Sequence, residues 1–157
     1  MVGGMSRAPG ISRFPSDLLV RSVAIGVAAG SRTSLGLAPV LLTSSVAGRW
    51  GAVATVGAVL GTAAELAGDK LPGTASRLDP PGPPIRMTAG ALGALVLARR
   101  AEAGVLVPVL LGVAGAAAGT WGGAAWRAAA VGRRPDWQAA VVEDVVALSL
   151  AAFAVRT

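Results

Sequence analysis

The chain contains no cysteine and no histidine. Without cysteine it has no disulfide, no thiolate nucleophile and no cysteine-ligated metal. Without histidine it lacks the commonest general base near neutral pH and the commonest transition-metal ligand. The sequence also lacks a P-loop, a G-x-S-x-G element and a D-G-x-x-A-R phosphotransferase signature. We therefore expect no catalytic residues, no metal site and no cofactor, and a protein that is not an enzyme.

Charged residues are scarce, at 14% of the chain, whereas soluble domains contain about 25%. Hydrophobic residues supply 54% and glycine another 22 positions, which brings the apolar-plus-glycine share to about 68% against about 45–50% in soluble domains. The mean hydropathy of +0.65 agrees. A water-soluble fold of 157 residues needs more polar surface than this. The composition predicts a polytopic membrane protein.

The few charges are mostly basic, with 14 lysines and arginines against 8 acidic residues. In a soluble protein this excess would suggest nucleic acid as a partner. Here the basic residues fall mainly between apolar segments, where they set membrane topology and contact anionic headgroups. We expect the lipid bilayer as the partner and no binding of nucleic acid.

The apolar runs predict an all-α fold, a transmembrane helical bundle of about five spans. Residues 1–15 are basic and aperiodic, which predicts a disordered cytoplasmic tail ahead of a single transmembrane domain at 16–157. The five predicted spans lie at residues 18–42, 50–68, 87–98, 105–130 and 137–155.

The third predicted span is only 12 residues long, or about 18 Å as a helix. It either crosses with help from snorkelling arginines at its ends or is re-entrant. The proline-rich segment before it, residues 69–86, is expected not to form a regular helix. Counting basic residues on the two sides gives nine against four for both topologies. Both place the N-terminus in the cytoplasm, and the side of the C-terminus stays open.

Glycines four residues apart predict close helix packing, because they share a helix face and let two backbones approach. A permeation path lined by glycine is the less favoured alternative. Such packing surfaces also make a homo-oligomer an open expectation. The glycines are Gly26, Gly30, Gly57, Gly61, Gly115, Gly119 and Gly123.

Arg32 lies deep in the first predicted span, where a charge costs at least about 2.5–3.5 kcal/mol and requires pairing or a water-filled cavity. One interpretation is a structural ion pair. The other is a helix break, because Gly30, Ser31, Thr33 and Ser34 surround the arginine, and transporters bind ions and substrates at such breaks.

Carboxylates and basic residues at the ends of the other spans form a second pattern. Glu65 and Asp69 share one helix face beside Lys70. In the five-crossing topology these ends meet on one side of the membrane, which predicts either a polar binding cluster or a structural salt-bridge lattice. The predicted binding cluster comprises Arg32, Glu65, Asp69, Lys70, Arg86, Arg127, Glu143 and Asp144.

An ordered series of these residues resembles the bacterial membrane-protein family called domain of unknown function 4126. The series is Gly30-Ser31-Arg32, Glu65-x-x-x-Asp69-Lys70-Leu71-Pro72, Ser76-Arg77, Arg86, Gly90-Ala91, Arg127 and Glu143-Asp144. It spans most of residues 20–155. The resemblance implies a small multi-pass protein of the bacterial inner (plasma) membrane and supplies no activity. The chain departs from the family pattern in its proline-rich segment at residues 78–85.

Two functions from different classes fit the sequence. The first is a small transporter or channel-like protein with a polar intramembrane cluster that binds a small solute. The second is a non-catalytic scaffold or lipid-binding protein whose buried charges only pair. A lipid-modifying enzyme is disfavoured because no motif supports it.

Overall fold

The computed structural model describes residues 15–43, 78–133 and 135–156. Within these ranges the fold is all-α, as predicted. It consists of five α-helices, four of them substantial, and one short 3₁₀ helix. The helices are α1 (Ser16–Ser31), a 3₁₀ helix (Thr33–Gly36), α2 (Ala38–Leu42), α3 (Gly82–Arg100), α4 (Leu106–Ala130) and α5 (Asp136–Ala154).

The first apolar run does not form one continuous helix. Helix α1 ends at Ser31, and Arg32 adopts an extended conformation with φ −141° and ψ 115° before the 3₁₀ helix begins. Glycine, serine and threonine are weak helix formers, so residues 30–34 are where this helix ends at least cost. Pro39 then lies in the first turn of α2, where proline starts a helix readily. The span predicted at 18–42 is therefore not one continuous helix, and the helix break that the sequence left open lies at Arg32.

The chain also reverses direction at this break. Leu18 from the start of α1 shares an apolar cluster with Val40 of α2, Leu97 of α3 and Ala154 of α5. We call this the base end of the bundle. At the opposite, tip end, Arg86 contacts the last carbonyls of α1. Residues 16–43 thus run from the base to the tip and back, and we call them the first hairpin.

The returning arm of the first hairpin is held at the base end by Arg100. One of its terminal guanidinium nitrogens (NH1) donates to the Thr43 hydroxyl at 3.0 Å, and the other (NH2) donates to the Val40 carbonyl. Because Arg100 is the last residue of α3, the returning arm ends beside the C-terminus of that helix.

Helix α3 is longer than the sequence suggested. It has 19 residues and is about 28 Å long, compared with the 12 residues expected at 87–98. Pro83 and Pro84 lie in its first turn, where backbone N–H groups have no partner within the helix and proline therefore removes no hydrogen bond. The expectation that residues 69–86 contain no regular helix is wrong for residues 82–86.

Helices α4 and α5 correspond to the fourth and fifth predicted spans. Among the described helices, these two are long and apolar enough to cross a membrane, over Leu106–Ala130 and Trp137–Ala154. Helix α4 alone is about 37 Å long, which exceeds the roughly 30 Å hydrocarbon core.

Small residues set the spacing between α1 and α4, which run parallel. A Cβ atom built on Gly26 would lie 2.3 Å from the Gly112 carbonyl oxygen, and one on Gly30 would lie 2.2 Å from that of Ala116. From the other side, Cβ atoms built on Gly115 and Gly119 would lie 2.5 and 2.3 Å from the carbonyl oxygens of Val23 and Val27. These distances leave no room for any side chain between the two backbones.

Two of the predicted packing glycines cannot be placed in these contacts. Gly57 and Gly61 lie outside the described residues. Gly123 borders a groove between helices.

Candidate functional site at the hairpin tip

Arg32 occupies the turn of the first hairpin and is only 1% exposed. Its Nε donates to Oδ1 of Asp144 on α5 at 2.9 Å, and a terminal nitrogen donates to the same oxygen. The Asp144 side chain is 15% exposed. The extended backbone at Arg32 directs the guanidinium toward α5, so the break in α1 and the ion pair form one arrangement.

Arg86 binds the end of α1 from the opposite side. Its NH1 donates to the carbonyl oxygens of Gly30 and Ser31, both at 3.0 Å. The last carbonyls of a helix have no partner within the helix and carry its partial negative charge, so a guanidinium stabilises them. The Thr120 hydroxyl lies 3.3 Å from the Gly30 carbonyl and 2.8 Å from that of Ala116.

Glu143 forms a second ion pair next to the first. Its Oε2 accepts from Nε of Arg127 at 3.0 Å, and the two side chains are 5% and 24% exposed. Consecutive residues of a helix point about 100° apart. Glu143 therefore contacts α4 while Asp144 contacts the first hairpin, and the two carboxylates attach α5 to two different elements.

The hairpin tip lies well inside the bundle. Thr120, which contacts Gly30, is ten residues or about 15 Å from the end of α4. Asp144 is eight residues or about 12 Å into α5. The tip is thus about 12–15 Å below the α4–α5 turn. At this depth the attraction within an ion pair offsets the cost of desolvation only when its contacts are short and well aligned.

Two cavities flank the tip. The first, of about 440 Å³, lies between the 3₁₀ helix and α3 and includes the hydroxyl residues Thr33, Ser34 and Thr88 in its walls. The second, of about 340 Å³, is a groove between α1, α4 and α5. The groove is lined by Val27, Ser31, Ala118, Gly119, Gly122, Gly123, Trp126, Val142, Glu143 and Val146.

The structure brings five of the eight predicted cluster residues to the tip end of the bundle. They are Arg32, Arg86, Arg127, Glu143 and Asp144. The other three, Glu65, Asp69 and Lys70, lie outside the described residues. Within the described ranges, no three acidic, histidine or cysteine side chains are grouped to hold a metal ion.

Sequence reasoning missed two participants. Thr120 is a hydroxyl residue in a run of glycine and alanine, and that contrast was the available signal. The second is the pairing of Arg86 with the carbonyls of Gly30 and Ser31. The sequence marked a break at these residues, but which side chain reaches their carbonyls depends on how the helices pack.

Comparison with known proteins finds no matching family model, no matching curated protein and no matching solved structure. The resemblance to domain of unknown function 4126 stays a prediction that rests on the residue series alone.

Proposed function

We propose that this chain is a multi-pass membrane protein that moves a small ion, with the first hairpin as its re-entrant element. In this arrangement α4 and α5 cross the bilayer, while residues 16–43 enter and leave from the base end. Helix α3 is less apolar and crosses beside them, with Arg99 and Arg100 at its end snorkelling to the interface. The re-entrant element is then the first apolar segment, and the third segment crosses. Further crossings, the bacterial inner membrane and a homo-oligomer stay predictions.

The observation that supports transport is the broken helix with a buried arginine at its turn. Non-helical backbone at membrane depth is stable only where protein or a water-filled cavity surrounds it. Residues 30–34 meet the first condition through Asp144, Arg86 and Thr120. Secondary transporters use such interrupted helices as ion sites, because the ends of half-helices present carbonyls and partial charges.

A transport step at this tip requires the Arg32–Asp144 contact to separate. Arg32 then turns toward the cavity walled by Thr33, Ser34 and Thr88, while Arg86 holds the end of α1. Asp144 contacts the hairpin through its side chain, and α5 packs on it through side chains such as Ala147 and Ala151, whereas α1 and α4 are in backbone contact. We therefore expect α5 to move relative to the α1–α4 pair.

Proteoliposomes test this proposal with protons, sodium and chloride as the probes, each under an imposed gradient. We expect one of these fluxes in the starting protein, its loss in Asp144→Asn and a reduced flux in Arg32→Lys, which keeps the charge. Asp17→Asn is the matched control, since Asp17 pairs with Arg21 on the surface of the same hairpin, at 68% side-chain exposure. No flux of any of the three ions, or equal fluxes in Asp144→Asn and Asp17→Asn, would contradict the proposal.

A scaffold or lipid-binding role is the second candidate, and the pairing of Arg127 with Glu143 favours it. This pair connects α4 to α5 by a direct hydrogen bond of 3.0 Å to a buried carboxylate, which is typical of a contact that holds two helices together. In this case Glu143→Gln lowers the melting temperature in detergent without changing any flux. For the transporter, Glu143→Gln lowers the flux of protein that still elutes as a single species.

The side on which the N-terminus lies also stays a prediction. Among described residues, the base end carries Arg21, Arg99, Arg100 and Arg156, and the tip end carries Arg86, Arg127 and Arg133. These residues divide four to three whether the first segment crosses once or returns to its starting side, so they favour neither side as the cytoplasmic one. The nine-to-four imbalance rests mainly on basic residues outside the described ranges.

A further inference from the structure

The groove between α1, α4 and α5 differs from the other helix contacts in this bundle. Gly30 and Gly119 lie against neighbouring backbones, whereas a Cβ built on Gly122 meets no atom of another described residue within 4 Å. The side chains of Trp126, Val142 and Val146 flank the groove and are 42%, 49% and 52% exposed. The groove is therefore open toward the surface that faces lipid when α4 and α5 cross a membrane.

The wall chemistry of this groove suits an acyl chain. Only Ser31 and Glu143 are polar among its ten lining residues, and Glu143 is 5% exposed and paired with Arg127. A hydrophilic solute would find few hydrogen-bond partners along these walls, and burial of its polar groups would be unfavourable. A hydrocarbon chain has no polar groups, so it loses no hydrogen bonds on entering such a groove.

The end of the groove has different chemistry. Trp126 closes it near the α4–α5 turn, and its indole Nε1 donates to the Ala139 carbonyl at 3.3 Å. Val131 in the turn and Trp137 in the first turn of α5 are 73% and 66% exposed, and Arg133 is exposed between them. Gly132 adopts a φ of +76° there, which favours glycine and allows the reversal.

This combination is typical of a headgroup-level anchor. Indole rings favour the membrane interface, and arginines there attract anionic lipids. Arg134 follows Arg133 in sequence, and Asp136 is the acidic residue nearby, so the turn keeps a net positive charge. The exposed Val131 adds apolar contact at the level of the acyl chains.

We infer that this groove binds a phospholipid with an anionic headgroup. One acyl chain lies along Gly119, Gly122 and Trp126, and the phosphate lies at Arg133. This inference requires that the protein reside in a membrane, but it is independent of any solute flux.

The test measures quenching of Trp126 fluorescence in a chain whose other tryptophans, Trp50, Trp121 and Trp137, are replaced by phenylalanine. The protein is reconstituted in phosphatidylcholine vesicles that contain increasing fractions of brominated phosphatidylglycerol or brominated phosphatidylcholine. We expect half-maximal quenching at an about tenfold lower mole fraction of the anionic lipid, which is the scale set by two arginines near an acidic residue.

Two pairs of matched variants test which residues cause the lipid preference and which form the acyl-chain site. Arg133→Gln with Arg134→Gln should make the two half-maximal fractions equal, whereas Arg99→Gln with Arg156→Gln removes the same charge at the base end and should keep the preference. Gly122→Leu fills the groove and should reduce quenching by both lipids. Ala128→Leu adds the same side chain at an exposed position of α4 outside the groove and should not.

Equal quenching by the two lipids in the starting chain, or equal loss of preference in both arginine variants, would overturn the anionic specificity. Unchanged quenching in Gly122→Leu would overturn the groove as the acyl-chain site. Native mass spectrometry of the unmodified chain from mixed-lipid nanodiscs gives a second measurement that needs no tryptophan substitution. It should detect retained phosphatidylglycerol, and its loss with Arg133→Gln and Arg134→Gln; no retained anionic lipid would refute the inference.

Discussion

Gly30→Ala is the substitution that most directly tests the close packing at the hairpin tip. The new Cβ would lie 2.2 Å from the Ala116 carbonyl oxygen, 2.7 Å from the Thr120 nitrogen and 2.9 Å from the Gly119 Cα. All three are backbone atoms and cannot rotate away. Ordinary contact begins at 3.4 Å, so α1 and α4 must separate by about 1.2 Å at this point.

The expected cost follows from two opposing effects. Overpacking of a close contact costs about 1–3 kcal/mol, and separation also weakens the hydrogen bonds that the Gly30 carbonyl accepts from Arg86 and Thr120. Alanine recovers about 1 kcal/mol through its higher helix propensity. We expect a net loss of about 1–2 kcal/mol, or a melting temperature lower by about 2–8 °C for a chain of this size.

Gly122→Ala is the matched control for this prediction. It makes the same chemical change in α4, but its Cβ meets no atom within 4 Å in the described part of the chain. It should leave the melting temperature unchanged or raise it by up to about 4 °C. Thermal unfolding in detergent, followed by circular dichroism, measures both variants. Equal shifts of the same sign would refute the packing of α1 against α4 described above.

Three further predictions concern the buried ion pair, the membrane topology and Thr120, which contacts the end of α1. Asp144→Asn removes a carboxylate from a guanidinium that is 2% exposed, whereas Arg32→Gln removes the cation from a carboxylate that is 15% exposed. Asp144→Asn should therefore cost more, up to about 3 kcal/mol in chemical unfolding, and the reverse order would contradict the burial of Arg32. Single cysteines at Ser16 and Ala101 should label from the same side of the membrane, because both positions lie at the base end, and one at Arg133 should label from the other side. Labelling of Ser16 from the same side as Arg133 would instead support a first segment that crosses once. Thr120→Val keeps the shape but removes the hydroxyl near the Gly30 carbonyl, and should lower stability by about 0.5–1.5 kcal/mol, whereas Ser149→Ala, which loses a bond within an exposed helix turn, should change it less.

The sequence predicted those features that depend on local pattern. The long apolar runs at the end of the chain predicted α4 and α5 within about one residue at each described end. The glycine spacing around Gly115 and Gly119 predicted a surface for close approach of another helix. The group Gly30, Ser31, Thr33 and Ser34 marked where α1 ends, because weak helix formers and a charge coincide there.

The errors at the first and third segments both come from reading a local pattern without its position in the fold. Hydropathy counts residues along the chain and does not register a change of direction, so a hairpin of residues 16–43 and a straight span of similar length give the same signal. In α3 the prolines were interpreted as helix breakers, although Pro83 and Pro84 fall in the first turn. Their effect depends on where the helix starts, and local composition does not determine that.

The sequence by itself determined that this chain is rich in helix and poor in charge, and that its few internal charges need partners. Only the tertiary structure decided which partners they have. Arg32 and Asp144 are 112 positions apart, and Arg86 reaches α1 across 56 positions. Such pairings depend on the direction of each helix and on how closely the glycines let the backbones approach, and both are properties of the packed bundle and not of any one segment.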